Sequence, residues 1–149
     1  MTGIQGLRLG TAIATIGLLL AGTAPAAAAS LTVAVSGIES DDGEIGCALY
    51  RSADGFPMEP GKATQQWHPA EKRGVECRFD GLEPGAYALA VSHDFNGNRE
   101  TDTNFVGIPK EPWGVSNNVR PFMRPPTFEE AQVRLDGNAP VEIGVEVAQ

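Results

Sequence analysis

Asp94, Asn96, Asn98 and Asp102 stand at positions 1, 3, 5 and 9 of one segment, with Gly97 between them to permit a tight bend. Side chains at this spacing around a curled loop can turn their oxygens toward one point, and a hard cation such as Ca²⁺ takes about six to eight oxygens. The helix–loop–helix calcium motif ends in a bidentate Glu at position 12; here that position is Phe105, and no flanking helices are evident. A Ca²⁺ site would therefore borrow oxygens from Glu100, from a backbone carbonyl, or from Glu111. The competing expectation is that Asn, Asp and Gly act as ordinary turn formers, their side chains bonded to their own backbone.

Other chemistry is less well supported. A hydrolase would use Asp94, Glu111 or His93 as acid and base, provided burial separates their pKa values. Ser116 lacks a glycine-flanked nucleophile turn. A triad of Ser116, His93 and Asp94 fails because adjacent strand residues point to opposite faces. His93 at a strand end reads as structural before it reads as a ligand, and His68, beside Trp67 and Pro69, reads as a surface loop residue. No zinc cluster, phosphate loop or dinucleotide turn is present in the sequence. No catalytic residue is therefore assigned.

The elements that must position these residues follow a period of two. Leu31, Val33 and Val35 alternate with smaller or polar neighbours, and similar alternation recurs over 44–51, 75–79, 86–93, 131–135 and 141–147. Asp41-Asp42-Gly43, Asp80 to Gly85 and Asp136-Gly137-Asn138 separate them as turns. Residues 52 to 74 read as a loop, and only 128–132 as a short helical turn. In 86–93 the small Ala86, Ala88 and Ala90 alternate with Tyr87, Leu89 and Val91, which suits a strand closely packed on one side. The pattern predicts an all-β fold, a single antiparallel β-sandwich of about seven strands (six to eight). Residues 94–125 break the rhythm as one long ordered loop, held by packing of Phe105, Ile108 and Trp113.

Cys47 shares a strand face with Ile45 and Leu49, and Cys77 with Val75 and Phe79, so both thiols point inward. A Cys47–Cys77 disulfide is expected, stabilising by about 3 kcal/mol in the chain-entropy view. The oxidising compartment this requires is announced at the N-terminus. Arg8 precedes an apolar run from Leu9 to Gly22, which ends in small residues up to Ser30. That is the form of a cleavable signal peptide over residues 1–29, cut before Ser30 or one residue earlier. The run is short for a membrane span, which needs roughly 20 apolar residues. One domain, residues 30–149, would remain, periplasmic or secreted and not inserted in a membrane. The net charge is −8, and loss of Arg8 makes the mature chain slightly more acidic. Without Lys and Arg clusters, nucleic acid is excluded as a partner.

Three stretches are familiar. Phe79 to Ala88 (FDGLEPGAYA), His93 to Asn98 (HDFNGN) and Asp102 to Asn118 (DTNFVGIPKEPWGVSNN) resemble the bacterial exported family named domain of unknown function 2141. Pro126 to Ala131 also fits that pattern. The Gly81-Leu82-Glu83-Pro84-Gly85-Ala86-Tyr87 turn is similar to one in transthyretin-like (prealbumin-like) and carboxypeptidase-regulatory-like sandwiches, which implies that seven-stranded fold. The resemblance implies export and no established activity.

The functional expectation is a non-enzymatic binding or interaction module, taking an unknown protein or small ligand. Its 94–118 segment contributes Asn104, Phe105, Glu111, Trp113 and Asn117, with His93 just before it, through packing or ligand contact, and Ca²⁺ is held by Asp94, Asn96, Asn98, Glu100 and Asp102. The alternatives are a purely structural sandwich with a packed loop, and a periplasmic hydrolase.

Overall fold

The computed structural model describes residues 28–100 and 102–149. The signal-peptide reading falls, up to residue 27, outside the described residues. Among the described residues eight strands make the fold: β1 (Ala29–Ser36), β2 (Glu44–Tyr50), β3 (Thr64–Pro69), β4 (Val75–Leu82), β5 (Gly85–Asp94), β6 (Trp113–Val115), β7 (Val133–Leu135) and β8 (Val141–Glu146). Two sheets face one another, one ordered β4-β1-β8 and the other β3-β2-β5-β6, with β7 pairing the first residues of β5. The all-β sandwich thus forms with a strand count at the top of the expected range.

Strand alternation decides the interior. Leu31, Val33 and Val35 of β1 meet Ile45, Cys47 and Leu49 of β2 and Tyr87, Leu89 and Val91 of β5 in one core. Burying each large aliphatic side chain stabilises by about 1.5–3 kcal/mol. Cys47 and Cys77 are disulfide-bonded, 30 residues apart, and the bridge ties β2 of one sheet to β4 of the other. The Tyr87 hydroxyl donates to the Glu83 carbonyl at 2.8 Å and pins the turn between β4 and β5.

Three features depart from the sequence reading. The sandwich is not wholly antiparallel, because β1 and β8 pair in parallel, Leu31 with Val141 through Ser36 with Glu146. Residues 64–69 form β3 rather than loop; their polar Gln65 and Gln66 hide the period, and pairing with β2 supplies the order. The 94–125 segment is interrupted by β6 and by a 3-10 turn, Ser116–Asn118, so the irregular stretch is shorter than expected. Residues 127–131 close the one helical turn expected there, the Ala131 N–H donating to the Thr127 carbonyl at 3.2 Å.

Candidate functional site

Over the middle of β2 and β5 the residues that face away from the core are small. Gly46 pairs with Ser92 and Ala48 with Ala90. β3 adds Trp67 opposite Gly46 and Gln65 opposite Ala48, and β6 adds Trp113 opposite Ser92 and Val115 opposite Ala90. One row across the sheet therefore reads Trp67–Gly46–Ser92–Trp113, two indoles flanking two residues with almost no side chain. Three strand spacings, about 14 Å, separate the outer members. The result is a groove of about 720 Å³ with Gly46, Ala48, Ala90 and Ser92 along its floor, within the range of roughly 300–1,000 Å³ usual for small-molecule sites.

The walls are held. A Cβ on Gly46 would stand 2.5 Å from the Trp67 ring, so only glycine lets the indole lie against the sheet there. The Arg99 guanidinium sits 5.5 Å from the Trp67 ring centre, and that of Arg120 sits 4.5 Å from the Trp113 ring centre. Each contact is a cation–π attraction that fixes a ring. Arg120 also donates to the Trp113 carbonyl at 2.7 Å. Met58, Met123, Val106 and Ile108 complete the rim, all well exposed. Two of the arginines beside the groove are paired: Arg99 binds Glu44 through two bonds of 2.9 Å, and Arg124 binds Glu130 at 2.7 and 2.8 Å. Arg99 holds the Glu44 carboxyl below its usual range, and Arg124 with the Thr127 N–H brings Glu130 to about 2.

The lower part of the same face is closed. Tyr50, Phe56 and Phe128 stack edge to face, with ring centres 5.2 and 6.1 Å apart. With Ala48, Ala88, Val115 and Ala131 they form a second, smaller core. Asn117, at a positive φ of 64°, donates to the carbonyls of Glu130 and Gln132 and straps this cover down. The close packing expected above Ala86, Ala88 and Ala90 is thus real at Ala88 and opens into the groove at Ala90.

At the far end of β5, Asp94 is fully buried and accepts from the Gly97 N–H at 2.8 Å and the Arg99 N–H at 2.6 Å. Gly43, with φ of 76°, permits this approach: a Cβ there would lie 2.0 Å from the Asp94 carbonyl oxygen. The Asn96 side chain accepts from the Asn98 N–H at 2.9 Å, and Asn98 from the Glu100 N–H at 2.8 Å. Both amides donate to Asp102, at 2.7 and 3.3 Å. Asp94, Asn96, Asn98 and Asp102 are therefore brought together, while the exposed Glu100 side chain lines the groove instead. Glu111 joins the cluster, its Oε1 accepting from the Phe95 N–H at 3.0 Å. Among the described residues no group of three or more His, Cys, Asp or Glu side chains is placed to hold a metal by itself.

The remaining residues separate. His93 is buried on the opposite face from Asp94; its Nε2 donates to the Asp42 carbonyl at 2.8 Å and its ring packs 4.1 Å from Phe95. Ser116 is fully buried, accepting from the Leu89 N–H at 3.0 Å and donating to the Ala131 carbonyl. These engagements leave no nucleophile–base pair. Asn104 accepts from the Val106 and Ile108 N–H groups, both at 3.0 Å, and shapes a small hairpin tip. Trp113 is half-buried as a groove wall. Phe105 does not pack at all: it is 100 % exposed at that tip, because the hairpin closes through its backbone and Asn104. His68 lies on β3, not in a loop. Gly46, Ala48, Trp67 and Ser92 went unpredicted as site residues; two adjacent strands with small residues in the same phase were the available signal.

The two cysteines are bonded, and among the described residues no helix is long and apolar enough to cross a membrane. No curated protein and no solved structure matches the chain. A family model described as an uncharacterized protein conserved in bacteria, DUF2141, matches residues 33–143, from the second turn of the β1 alternation into β8, and the chain belongs to that family.

Proposed function

We propose that this protein is a non-enzymatic binding module acting outside the cytoplasm, and that its groove takes an uncharged, ring-bearing small molecule. The row Trp67–Gly46–Ser92–Trp113 carries the reading. Its two indoles are already fixed by Arg99 and Arg120, so little side-chain freedom is lost when a ligand enters. Flat rings gain most from such walls, through stacking and apolar burial. Arg99 and Arg124 are neutralised by Glu44 and Glu130, which favours an uncharged ligand over an anion. The Ser92 hydroxyl and the Gln65 amide offer the few polar contacts that orient a ligand in an otherwise apolar site.

Nile red, a neutral polycyclic dye, tests this directly. It should gain fluorescence with the folded protein and quench Trp67 and Trp113, the only two tryptophans in the chain. Ala90→Leu raises the floor and should abolish both signals with the melting temperature unchanged. Absence of dye binding, or equal binding by A90L, would overturn the proposal.

The export reading is also our own. A disulfide in a small domain fits an oxidising compartment. Ala29 is 2 % exposed and pairs with Leu82 in β1, which supports the cut before Ala29 over the cut before Ser30. N-terminal sequencing of the secreted product decides it: a start at Ala29 is expected, and retention of residues 1–28 would remove the export claim.

A further inference from the structure

The Asp94 loop holds a group that neither the fold nor the groove explains. Glu111 is only 6 % exposed, and while its Oε1 accepts the Phe95 N–H, its Oε2 is buried without a partner. Asp94 and Asp102 lie close enough for their charges to act on it. A buried carboxylate oxygen without a donor is costly, and more so beside two other carboxylates. Arg99, whose backbone N–H bonds Asp94, turns its guanidinium to Glu44, 2.9 Å away. The cluster therefore has an excess of negative charge, an unfilled acceptor and donors that are all oxygen.

We propose that Asp94, Asn96, Asn98, Asp102 and Glu111, with the Glu100 backbone carbonyl, bind one Ca²⁺ ion. Three carboxylates, two amide oxygens and a carbonyl make the hard, high-coordination set that Ca²⁺ prefers. His93 lies on the other face and no thiol is near, which disfavours zinc and copper. The loop is wound for this purpose by its side-chain-to-backbone bonds, from Asp94 to Gly97 and Arg99, from Asn96 to Asn98, and from Asn98 to Glu100. Glu111 takes the place of the missing position-12 Glu from the far strand of the hairpin. At present the Asn96 and Asn98 amides satisfy Asp102 by donating to it. An ion would replace those donors, turn both amide oxygens toward itself, and give Glu111 Oε2 its partner. Each amide oxygen has two lone pairs, so it can keep its backbone N–H while ligating.

The site also bears on the groove. Asp102 and Glu111 stand at the two ends of a small hairpin, closed by the Lys110 N–H to the Asp102 carbonyl and the Asn104 N–H to the Ile108 carbonyl, both 2.8 Å. That hairpin carries Val106 and Ile108, one wall of the groove. An ion at its base would stiffen this wall and raise affinity for the dye; only this coupling rests on the groove reading, and the ion site stands without it.

Calorimetric titration of the signal-free protein with CaCl₂, in the absence of dye, tests the site alone. Affinity should lie near that of extracellular calcium modules, roughly 10⁻⁴ to 10⁻³ M, so titration to about 10 mM covers the range. One ion per chain is expected, with Mg²⁺ weaker by about tenfold or more because it tolerates only a tight octahedron. With about 10 mM CaCl₂ present, excess EGTA should lower the melting temperature of the wild type and leave Glu111→Gln and Asp102→Asn unchanged, both variants retaining their circular dichroism. These two are chosen over Asp94 variants because Asp94 holds two backbone N–H groups that the fold needs. No heat together with no EGTA effect would overturn the site, and so would Ca²⁺ binding of wild-type strength in both variants.

Discussion

β2 and β5 present two faces built from alternate residues of the same strands, and the two have opposite fates. On the inner face Ile45, Cys47, Leu49, Tyr87, Leu89 and Val91 are each at most 3 % exposed. On the outer face Gly46, Ala48, Ala88, Ala90 and Ser92 leave volume that other segments only partly refill. Backbone, pairing and register are shared, so side-chain volume alone separates a sealed core from a groove. Where Phe56 and Phe128 swing over the small residues, the face closes; where Trp67 and Trp113 stand at its sides, it stays open. Interiors pack to crystal-like density, and a patch that fails to do so beside rigid aromatic walls is better read as a site than as a defect.

The largest expected effects lie inside. Leu89→Ala should cost about 2–5 kcal/mol, the usual range for a buried leucine whose cavity relaxes only partly, read as a drop in denaturation midpoint. Replacing Cys47 and Cys77 together by Ala should cost about 3 kcal/mol, chiefly by freeing the unfolded chain; reduction of the wild type should lower its melting temperature similarly. Either result near zero would mean that the sheets are held by something other than this core.

A smaller effect is expected at the boundary between the faces. Gly46→Ala has no backbone penalty to meet, since Gly46 is not at positive φ, but its new Cβ meets the Trp67 ring. Displacing the ring should cost about 1–3 kcal/mol, as overpacking does, and should shift Trp67 emission to the red as the indole leaves the sheet. Unchanged emission would show that the ring is not pressed against the floor.

The two faces also differed in how legible they were. Inner-face residues declare themselves, because apolar side chains at every second position need a core, and Cys47 and Cys77 in phase with them need a bridge. The outer face depends on what covers it, and that comes from distant chain. Ala88 and Ala90 look alike in sequence, yet Phe128 and Ala131 return to cover one, while β6 and the 103–109 hairpin leave the other open. β3 was hidden because an edge strand with Gln65 and Gln66 needs no apolar alternation. The parallel β1–β8 pair joins chain ends more than a hundred residues apart, beyond any local signal. Phe105 was expected to pack because aromatics usually do; the hairpin needs only Asn104 and its backbone to close. In the Asp94 loop the spacing of oxygens was legible, whereas the orphaned oxygen of Glu111 required the fold.

The smallest effect separates the cover from the core by pH. Glu130 accepts from Arg124 and from the Thr127 N–H at 2.9 Å, and these bonds fold the segment that seats Phe128 on the outer face. They bring its pKa to about 2 from a usual 4.5. A carboxyl depressed in the folded state stabilises it above the unfolded pKa and loses that contribution as pH falls through the folded one. The melting-temperature difference between wild type and Glu130→Gln should therefore be constant at neutral pH, shrink below about 4.5 and vanish near 2. The Glu130 side chain keeps 35 % of its surface in solvent, so the difference should be small and should fall with salt. Among the described residues the core cluster around Leu89 includes no carboxylate, and Leu89→Ala should show the same loss between pH 7 and the range in which Glu130 is protonated; a shared acid dependence would mean that cover and core unfold as one unit.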